Sequence, residues 1–352
     1  MAKKNNPAVS VIIAMFNAEK YIGECLTSLA NQTFQDFEII IADDCSTDKS
    51  RVVVKNFFAT FDDRLKVVKL SKNSGYPGLP RNFALKSASG KYIYFLDSDD
   101  LLTATALEEL FNVAENFNAD VVHAETSFIF DDAQGISSAE LMVFQTGELV
   151  TAPTLETSDI GERVTAFTEK RFLWWACNKL FRRKLLSDNK ITFPAVKTFE
   201  DFVFTFECLV AAQNYVRVPF VSYYYRIRED SLSHEAVDGA LFMHNLIGVV
   251  KSTDDFMSGR KFFRDNPKYK YILTDFFMQD RLNVFSQKFL SADYGIGEVY
   301  DFFSGRLFSS RPQDLAALTS YLFITASVFK LYTAQQAAEI AELKRQLGGK
   351  SK

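Results

Sequence analysis

In Tyr92-Ile93-Tyr94-Phe95-Leu96-Asp97-Ser98-Asp99-Asp100, an apolar run ends in three carboxylates. The apolar run predicts a buried strand, and ligands of open α/β sheets bind beyond the carboxyl ends of strands. Because side chains alternate along a strand, Asp97 and Asp99 share a face if extended geometry continues through Ser98. Such hard oxygen ligands suit Mg²⁺ or Mn²⁺. The alternative is an acidic turn at the start of the next helix, where carboxylates are also favoured.

A second predicted strand is also followed by acidic residues. Residues 37–42 are apolar apart from Glu38, and they are followed by Asp43, Asp44 and the polar turn Cys45-Ser46-Thr47-Asp48. An ionised carboxylate only accepts hydrogen bonds, so one at this place can accept from a base N–H such as the N3–H of uracil. A side chain of the turn, Ser46, Thr47 or Asp48, can also cap a helix that we expect to reach about residue 58.

Short apolar runs alternate with helical patterns on both sides of these motifs. This alternation is typical of an α/β domain with a mainly parallel sheet. The predicted strands cover residues 9–13, 37–42, 65–70, 91–96, 120–123 and 216–227. The predicted helices cover about 21–29, 46–58, 103–116, 162–172, 179–187 and 200–212. Residues 127–154 are more typical of a hairpin or loop, and from about His234 onward the pattern is helical and rich in aromatic residues.

Composition excludes several classes of function. Among 352 residues, 47% are hydrophobic and 24% charged, as in ordinary globular proteins. The formal net charge of -4 argues against nucleic acid as a partner. The sequence contains neither GxxxxGK[ST] nor GxGxxG after a strand, which disfavours P-loop phosphoryl transfer and Rossmann dinucleotide binding.

Other sequence features bear on location. The four cysteines form no CxxC pair, so they predict neither a zinc site nor a disulfide framework and fit a reducing cytoplasm. The polar start, MAKKNNPAVS, lacks the apolar core of a secretory signal. The late apolar stretch 321–329 is too short to span a bilayer. We therefore expect a cytoplasmic protein.

The order of these motifs resembles that of bacterial family 2 glycosyltransferases, which are inverting enzymes of the GT-A fold. The resemblance extends over about two thirds of the chain. The matching segments are 9–13, Phe16-Asn17-Ala18-Glu19, 43–48, Pro80-Arg81-Asn82, 96–100, Asn178-Lys179-Leu180-Phe181, Phe199-Glu200-Asp201 and 224–234. Two positions depart from the pattern, since Ala14 replaces a common Pro and Cys45 a common Gly.

The resemblance implies a GT-A catalytic domain, Rossmann-like with a mainly parallel central sheet, over residues 1–234, and a helical region over 235–352. It implies an inverting glycosyltransferase of the hexosyltransferase type, acting in surface polysaccharide or glycoconjugate synthesis. The donor would be a nucleotide diphosphate sugar, with a UDP-sugar favoured. Asp44, with Asp43, would read uracil, and Phe16 would stack on it. The donor-binding set is Phe16, Asp43, Asp44, Arg81, Asn82, Ser98 and Arg228.

The resemblance also assigns the metal and the catalytic groups. Asp97 and Asp99 would hold Mn²⁺ or Mg²⁺ between the phosphates, and His234 would be a further ligand. Asp201 would be the general base that takes a proton from the acceptor hydroxyl, with Glu200 orienting it. Direct displacement by that hydroxyl inverts the anomeric centre.

Candidates for the acceptor site lie beside the Asn178-Lys179 motif. Aromatic faces bind sugar rings but also pack in cores, so Trp174 and Trp175 have two interpretations. Lys179 is a third candidate. His123 and His244 have no acidic neighbours in the sequence that would complete a ligand set, and we interpret both as structural.

Several alternatives stay open. A nucleotidyltransferase would also use a metal and an α/β sheet, but the chain lacks a glycine-rich, arginine-bearing loop near its start. A catalytically silent GT-A scaffold that binds a partner is the other rival. The helical region could pack on the acceptor side, form an oligomer, or touch a membrane surface that presents a lipid-linked saccharide acceptor. Residues 340–347 predict a terminal amphipathic helix.

Overall fold

The computed structural model describes residues 6–143, 149–228 and 239–289. Within these residues the chain forms one mixed sheet with helices on both faces. The strands are β1 Val9–Met15, β2 Phe37–Asp43, β3 Leu65–Lys69, β4 Tyr92–Asp97, β5 Leu101–Leu102, β6 Val121–Asp131, β7 Glu140–Val143, β8 Thr154–Leu155, β9 Lys179–Arg182 and β10 Tyr215–Ile227.

The helices alternate with the strands in the first half and cluster in the second. They are α1 Ile22–Ala30, α2 Ser50–Lys55, α3 Phe58–Phe61, α4 Gly78–Leu85, α5 Ala106–Asn116, α6 Ile160–Thr168, α7 Arg183–Asn189, α8 Glu200–Ala211, α9 Gly239–Ser258, α10 Lys261–Asp265 and α11 Lys268–Phe289.

The strand order of the sheet is β3-β2-β1-β4-β9-β6-β10-β5. β1 to β4 are mutually parallel, and β9 runs antiparallel between β4 and β6. β7 adds to β6 as a hairpin, as expected for this part of the chain, and β8 adds to β10. The expected mainly parallel α/β sheet is confirmed, with antiparallel strands added in the second half.

Separate hydrophobic cores cover the two faces of the sheet. In β1, Val11 and Ile13 face one core and Ile12 faces the other, since side chains alternate along a strand. Burial of both faces is why the parallel strands are almost continuously apolar. The acidic residues of this region lie at the strand ends.

One predicted helix has a different structure. We expected a helix over residues 179–187, but its first four residues form β9 and only Arg183–Asn189 is helical. Leu180 and Phe181 face opposite cores, an alternation that fills the gap between β4 and β6. Tertiary pairing therefore overrides the local helical pattern.

Of the three side chains expected to cap the helix after β2, Asp48 binds its first turn, and the hydroxyls of Ser46 and Thr47 do not. α2 begins only at Ser50, and its first turn is held by Asp48, whose Oδ1 accepts from the Ser50 amide at 3.0 Å. Ser46 Oγ instead accepts from the Asn17 amide at 3.1 Å, and the Thr47 hydroxyl donates to Asn17 Oδ1. These hydroxyls connect the turn after β2 to the turn after β1.

The expected helical character after β10 is confirmed over residues 239–289. Leu246, Met257 and Phe277 are buried in the core that also contains Phe202 and Phe206 of α8. The predicted boundary at residue 234 and the predicted helix 340–347 lie outside the described residues and stay predictions. In the described part of the chain, we find no helix with the length and apolar character of a membrane span.

Candidate active site

Two acidic strand ends meet at one edge of the sheet. In the register of β1 with its neighbours, Met15 pairs with Asp43 of β2, and Ala14 pairs with Asp97 of β4. The carboxyl ends of three adjacent parallel strands therefore lie side by side, where ligands of open α/β sheets bind. The convergence expected from the sequence is confirmed.

The end of β2 is built from buried acids. Asp43 is fully buried, and its Oδ1 accepts from the Ser46 amide at 2.9 Å. Asp44 is nearly buried, and both its oxygens bind Ser74, through the amide and the hydroxyl at 2.7 to 3.0 Å. Asp44 therefore fixes the loop after β3. Phe16, one residue after β1, has 49% of its surface exposed at this edge.

Cys45 follows the acidic pair in a left-handed conformation, with φ 63°. This explains why glycine is common at this position in similar sequences, since glycine adopts positive φ without strain. The Cys45 thiol donates to the Leu70 carbonyl at 3.1 Å. That bond joins the turn to the residue after β3 and offsets part of the strain.

Helix α4 brings Arg81 into the site. The helix begins at Gly78, where a Cβ would lie 3.0 Å from Phe193 Cβ and 3.3 Å from the Pro194 carbonyl oxygen. A side chain at position 78 would therefore be tight against the segment before α8, which glycine avoids. Arg81 lies one turn later and has only 5% of its surface exposed.

The Arg81 guanidinium joins both acidic motifs. Its Nη2 donates to Asp97 Oδ1 at 2.6 Å, and its Nη1 donates to Asp201 Oδ1 at 2.8 Å and to Glu200 Oε1 at 3.1 Å. A planar guanidinium suits this because its donors are fixed in a fork. The sequence resemblance assigned Arg81 to a diphosphate. In the structure its observed partners are carboxylates.

The Glu200-Asp201 pair begins α8 directly after Phe199, whose φ of 69° is left-handed. Burial raises the pKa of Glu200, and the nearby Asp201 charge adds to this, while Arg81 opposes it. Burial likewise raises the pKa of Asp201 against the effect of Arg81. Asp201 Oδ2 accepts from the Ala176 amide at 3.0 Å. Strained backbone and perturbed acids together are typical of functional sites.

The turn after β4 is held by β10. Asp99 Oδ2 accepts from Arg228 Nε at 2.7 Å. Asp100 is buried and accepts from the Tyr223 hydroxyl at 2.7 Å and from the Arg226 amide at 2.8 Å. Ser98 is half-buried in the same turn. Burial and the neighbouring Asp97 charge raise the pKa of Asp99, against the effect of Arg228. The turn therefore concentrates negative charge.

Sequence reasoning did not single out Tyr223 or Arg226. The Arg226 guanidinium is buried, donates to the Asp99 carbonyl at 2.8 Å and pairs with Glu24 and Asp132 at 2.7 and 2.6 Å. It thus ties α1 and the end of β6 to the turn. The signal was available, because a buried arginine in an apolar strand requires several acceptors.

The residues present fit a divalent cation. Asp97 and Asp99 follow one strand end, and the arginines bind one oxygen of each. Mg²⁺ is usually held by one or two carboxylates together with substrate phosphates, so a larger protein cage is not required. Within residues 6–143, 149–228 and 239–289, no cluster of three or more His, Cys, Asp or Glu is set for a metal. His234 lies outside the described residues.

The two tryptophans have different surroundings. Trp174 packs on Phe199 and Phe202, and the Arg281 guanidinium of α11 lies 4.7 Å from its ring. Trp175 instead stacks on Tyr225 of β10, with ring centroids 5.8 Å apart. Only Trp175 is therefore connected to the strand that holds the turn after β4.

Two other candidate residues have hydrogen-bond partners within the protein. Lys179 has 1% of its surface exposed, and its ammonium donates to the Leu173 and Trp175 carbonyls at 2.6 Å each and to Asn178 Oδ1 at 2.8 Å. The expectation of an acceptor contact is wrong for Lys179. Asn82 exchanges two hydrogen bonds with the backbone of Phe193, so its amide holds the segment before α8.

The structural interpretation of His123 agrees with its place in the sheet. It is fully buried, and burial holds its pKa well below the ordinary value. Lys179 of β9 and Arg217 of β10 are its register partners and lower the pKa further. The His244 side chain lies outside the described residues.

Comparisons with known proteins agree with this geometry. The sequence model of the family described as "Glycosyl transferase family 2" matches residues 10–189. A poly(ribitol-phosphate) beta-glucosyltransferase of Bacillus spizizenii is 33% identical over 256 residues, which are 70% of this chain and 37% of that protein. The poly(ribitol-phosphate) beta-N-acetylglucosaminyltransferase TarS of Staphylococcus aureus is 33% identical over 63% of this chain and 36% of its own length.

A solved structure also resembles the fold. It is the crystal structure of S. aureus TarS residues 1–349 in complex with UDP-GlcNAc, with a TM-score of 0.63 and 26% identity over 84% of this chain and 78% of that one. The chain spans little more than a third of the full length of the two enzymes it matches in sequence.

Proposed function

This chain belongs to glycosyl transferase family 2, and we propose that it transfers a sugar from a UDP-sugar to an acceptor hydroxyl with inversion at the anomeric carbon. The single observation that carries the proposal is the bridge made by Arg81. One guanidinium contacts Asp97, at the end of the donor-side strand, and Asp201, the candidate base. A displacement reaction needs a leaving-group site and a base in this proximity.

Asp201 is the proposed general base. An acceptor hydroxyl is a poor nucleophile at neutral pH, so a carboxylate within hydrogen-bond reach assists its attack by taking the proton. Burial raises the pKa of Asp201, which makes it a stronger base than an exposed aspartate. The Ala176 amide and Arg81 bind its two oxygens and fix the orientation of the carboxylate.

Glu200 and Arg81 have a positioning role in this proposal. Glu200 is buried and binds the same Nη1 of Arg81 as Asp201 does. The guanidinium keeps three carboxylates close together that would otherwise repel one another: the buried Glu200 and the half-buried Asp97 and Asp201. Its position beside Asp97 also puts a fixed positive charge near the place where the leaving diphosphate would develop negative charge.

Mn²⁺ or Mg²⁺ is the proposed cofactor, held by Asp97 and Asp99. A divalent cation there would supply neutralisation of charge on the departing diphosphate. Arg228 binds Asp99 at 2.7 Å. We propose that it adds a second positive side chain, beside Arg81, to the site of the diphosphate. His234 stays a proposed further ligand on the basis of the sequence alone.

The nucleotide preference is proposed from the end of β2. Phe16 offers an exposed ring, and Asp44 lies in the adjoining turn with a carboxylate that can accept from uracil N3–H beside its bonds to Ser74. Two similar enzymes act on poly(ribitol-phosphate), and one similar structure contains UDP-GlcNAc. We therefore propose UDP-glucose or UDP-GlcNAc as donor and a polyol-phosphate polymer as acceptor.

The test is a transfer assay with UDP-glucose and UDP-GlcNAc on poly(ribitol-phosphate) with Mn²⁺, followed by NMR of the anomeric proton of the product. A β-linked product from the α-linked donor supports inversion. A product that keeps the α configuration contradicts it. In a separate binding measurement, equal affinity for UDP, GDP and CMP would contradict the role given to Asp44.

A further inference from the structure

We propose that the stacked rings of Trp175 and Tyr225 form the acceptor-binding surface, which takes the C–H-rich face of a sugar or polyol unit. The inference rests on the proposed function and assigns the acceptor side of the same site. It differs from the sequence-based expectation, which left Trp174 and Trp175 as equal candidates and included Lys179.

Trp175 precedes the residue that binds the candidate base. The next residue, Ala176, donates its amide to Asp201 Oδ2 at 3.0 Å. Trp175 is therefore next in the chain to the residue that orients the carboxylate proposed to take the acceptor proton. General base catalysis requires the acceptor to be bound beside that carboxylate.

Tyr225 is attached to the candidate donor side. The next residue, Arg226, donates its amide to Asp100 and its Nε to the Asp99 carbonyl, both at 2.8 Å. Arg228, on the same strand end, binds the Asp99 carboxylate. The Trp175–Tyr225 pair thus joins the segment that orients the base to the turn that would hold the diphosphate. An acceptor hydroxyl has to reach the anomeric carbon between these two parts.

The chemistry of the pair suits a carbohydrate. Both rings are half-buried, and they lie at an interplanar angle of 28°. Aromatic faces pack against C–H groups while the polar end of the ring stays wet. A neutral apolar face binds the C–H groups of an acceptor without adding charge to the site.

Trp174 is excluded from this surface by its own packing. It contacts Phe202 edge-on with centroids 5.7 Å apart, and Arg281 covers it. Its neighbours come from α8, from α11 and from Phe199 just before α8, so the half-buried ring packs against the helical side of the molecule. Trp174 is thus a control matched to Trp175 in residue type and position in the chain.

Lys179 holds the backbone of the segment that carries Trp175. Its ammonium binds the carbonyls of Leu173 and Trp175, the residues on either side of Trp174. The ammonium also binds the Asn178 amide oxygen, and these three hydrogen bonds fix the backbone conformation of the segment. Lys179 is therefore a positioning residue for Trp175, and it has no contact with the acceptor.

The chain contains two tryptophans, which makes fluorescence a direct test. In Trp174→Phe all tryptophan emission comes from Trp175, and in Trp175→Phe it comes from Trp174. Titration with poly(ribitol-phosphate) should change the emission of Trp174→Phe saturably and leave that of Trp175→Phe unchanged. Unchanged emission of Trp174→Phe, with its transfer to the same acceptor intact, overturns the inference.

Steady-state kinetics supply the second readout. Trp175→Leu and Tyr225→Leu should each raise the acceptor KM at least tenfold and change the KM for UDP-GlcNAc much less. Trp174→Leu should lower the melting temperature and leave the acceptor KM unchanged. An unchanged acceptor KM in both Trp175→Leu and Tyr225→Leu counts against the surface.

The two readouts separate this inference from the proposed function. If poly(ribitol-phosphate) changes the emission of Trp175 but no UDP-sugar is consumed, the acceptor surface stands and the proposed transfer reaction is wrong. If transfer proceeds while the emission of Trp175 and the KM of its variants stay constant, the reaction stands and the acceptor surface is wrong.

Discussion

Arg81 Nη1 lies 2.8 Å from Asp201 Oδ1, although 120 residues separate them in the chain. The same guanidinium binds Asp97, so it joins the candidate base to the candidate metal site. Asp97 ends β4 and Asp201 lies at the start of α8, so the two carboxylates belong to elements that are far apart in the chain. Removing either side of this contact should therefore have distinct effects on chemistry and on stability.

Asp201→Asn should lower the transfer rate by about 10²- to 10⁴-fold, because an amide cannot take the acceptor proton. The affinity for UDP should stay within threefold, since the proposed role of Asp201 is toward the acceptor and not the nucleotide. Initial rates and calorimetric titration with UDP measure the two effects. Glu207→Gln, on the same helix, is the control and should keep the wild-type rate. Full activity of Asp201→Asn would falsify the assignment of the base.

Arg81→Met should destabilise the fold by about 3 to 5 kcal/mol, because it leaves the buried Glu200 and the half-buried Asp97 and Asp201 without their cation. In Arg81→Met with Asp201→Asn, one of those charges is gone, so the double variant should be more stable than the sum of the single effects predicts. Urea unfolding measures this. Lys184→Met, which breaks the exposed pair with Asp188, should cost less than about 1 kcal/mol. Strict additivity would show that the charges do not interact.

Asp99→Asn should weaken the Mn²⁺-dependent affinity for UDP at least tenfold, since a neutral amide is a poorer ligand for a hard cation. UDP titrations at several Mn²⁺ concentrations measure the shift, and removal of the metal with EDTA should bring wild type to the level of the variant. Asp188→Asn, an exposed helix carboxylate, is the control. Equal Mn²⁺ dependence in wild type and Asp99→Asn would exclude Asp99 as a ligand.

Stability should fall as pH rises from about 5 to 8. Burial raises the pKa of Glu207 from 4.5 to about 8, against the effect of Arg260. The folded protein thus binds this proton more tightly than the unfolded chain. The contribution to stability is complete below the unfolded pKa and is lost as pH rises through the folded one.

Melting temperatures across this range test the prediction. Glu207→Gln should show a flatter profile than wild type, because the variant has no proton to lose at this position. Glu162→Gln, at an exposed position of α6, should follow the wild-type profile. A Glu207→Gln profile parallel to that of wild type would mean that other groups cause the dependence.

Local patterns predicted much of the sheet. The apolar runs at 9–13, 37–42 and 91–96 became β1, β2 and β4, because strands buried on both faces must be apolar throughout. The helix at 200–212 also formed as expected, as α8. The prediction failed at 179–187, where a short strand inserts between β4 and β6. A four-residue strand is too short to show a period of its own.

The partners of polar groups were much less predictable. The Ser46 hydroxyl had a plausible local role as a cap, yet it binds the backbone of Asn17, 29 residues away. Lys179 belongs to a recognisable motif, but the sequence does not reveal whether its ammonium meets a ligand or the protein. Burial of a lysine depends on acceptors supplied by other segments, here the carbonyls of Leu173 and Trp175.

The sequence by itself determined the α/β alternation, the acidic ends of β2 and β4, and membership of a glycosyltransferase family. The strands and helices can be predicted because the spacing of apolar residues in the sequence follows which side chains are buried along each element. Only the tertiary structure decided that Arg81 joins Asp97 to Asp201, that Trp175 stacks on Tyr225, and that Trp174 does not. These contacts join segments far apart in the chain, and they depend on how α4, α8 and β10 pack, which no local pattern specifies.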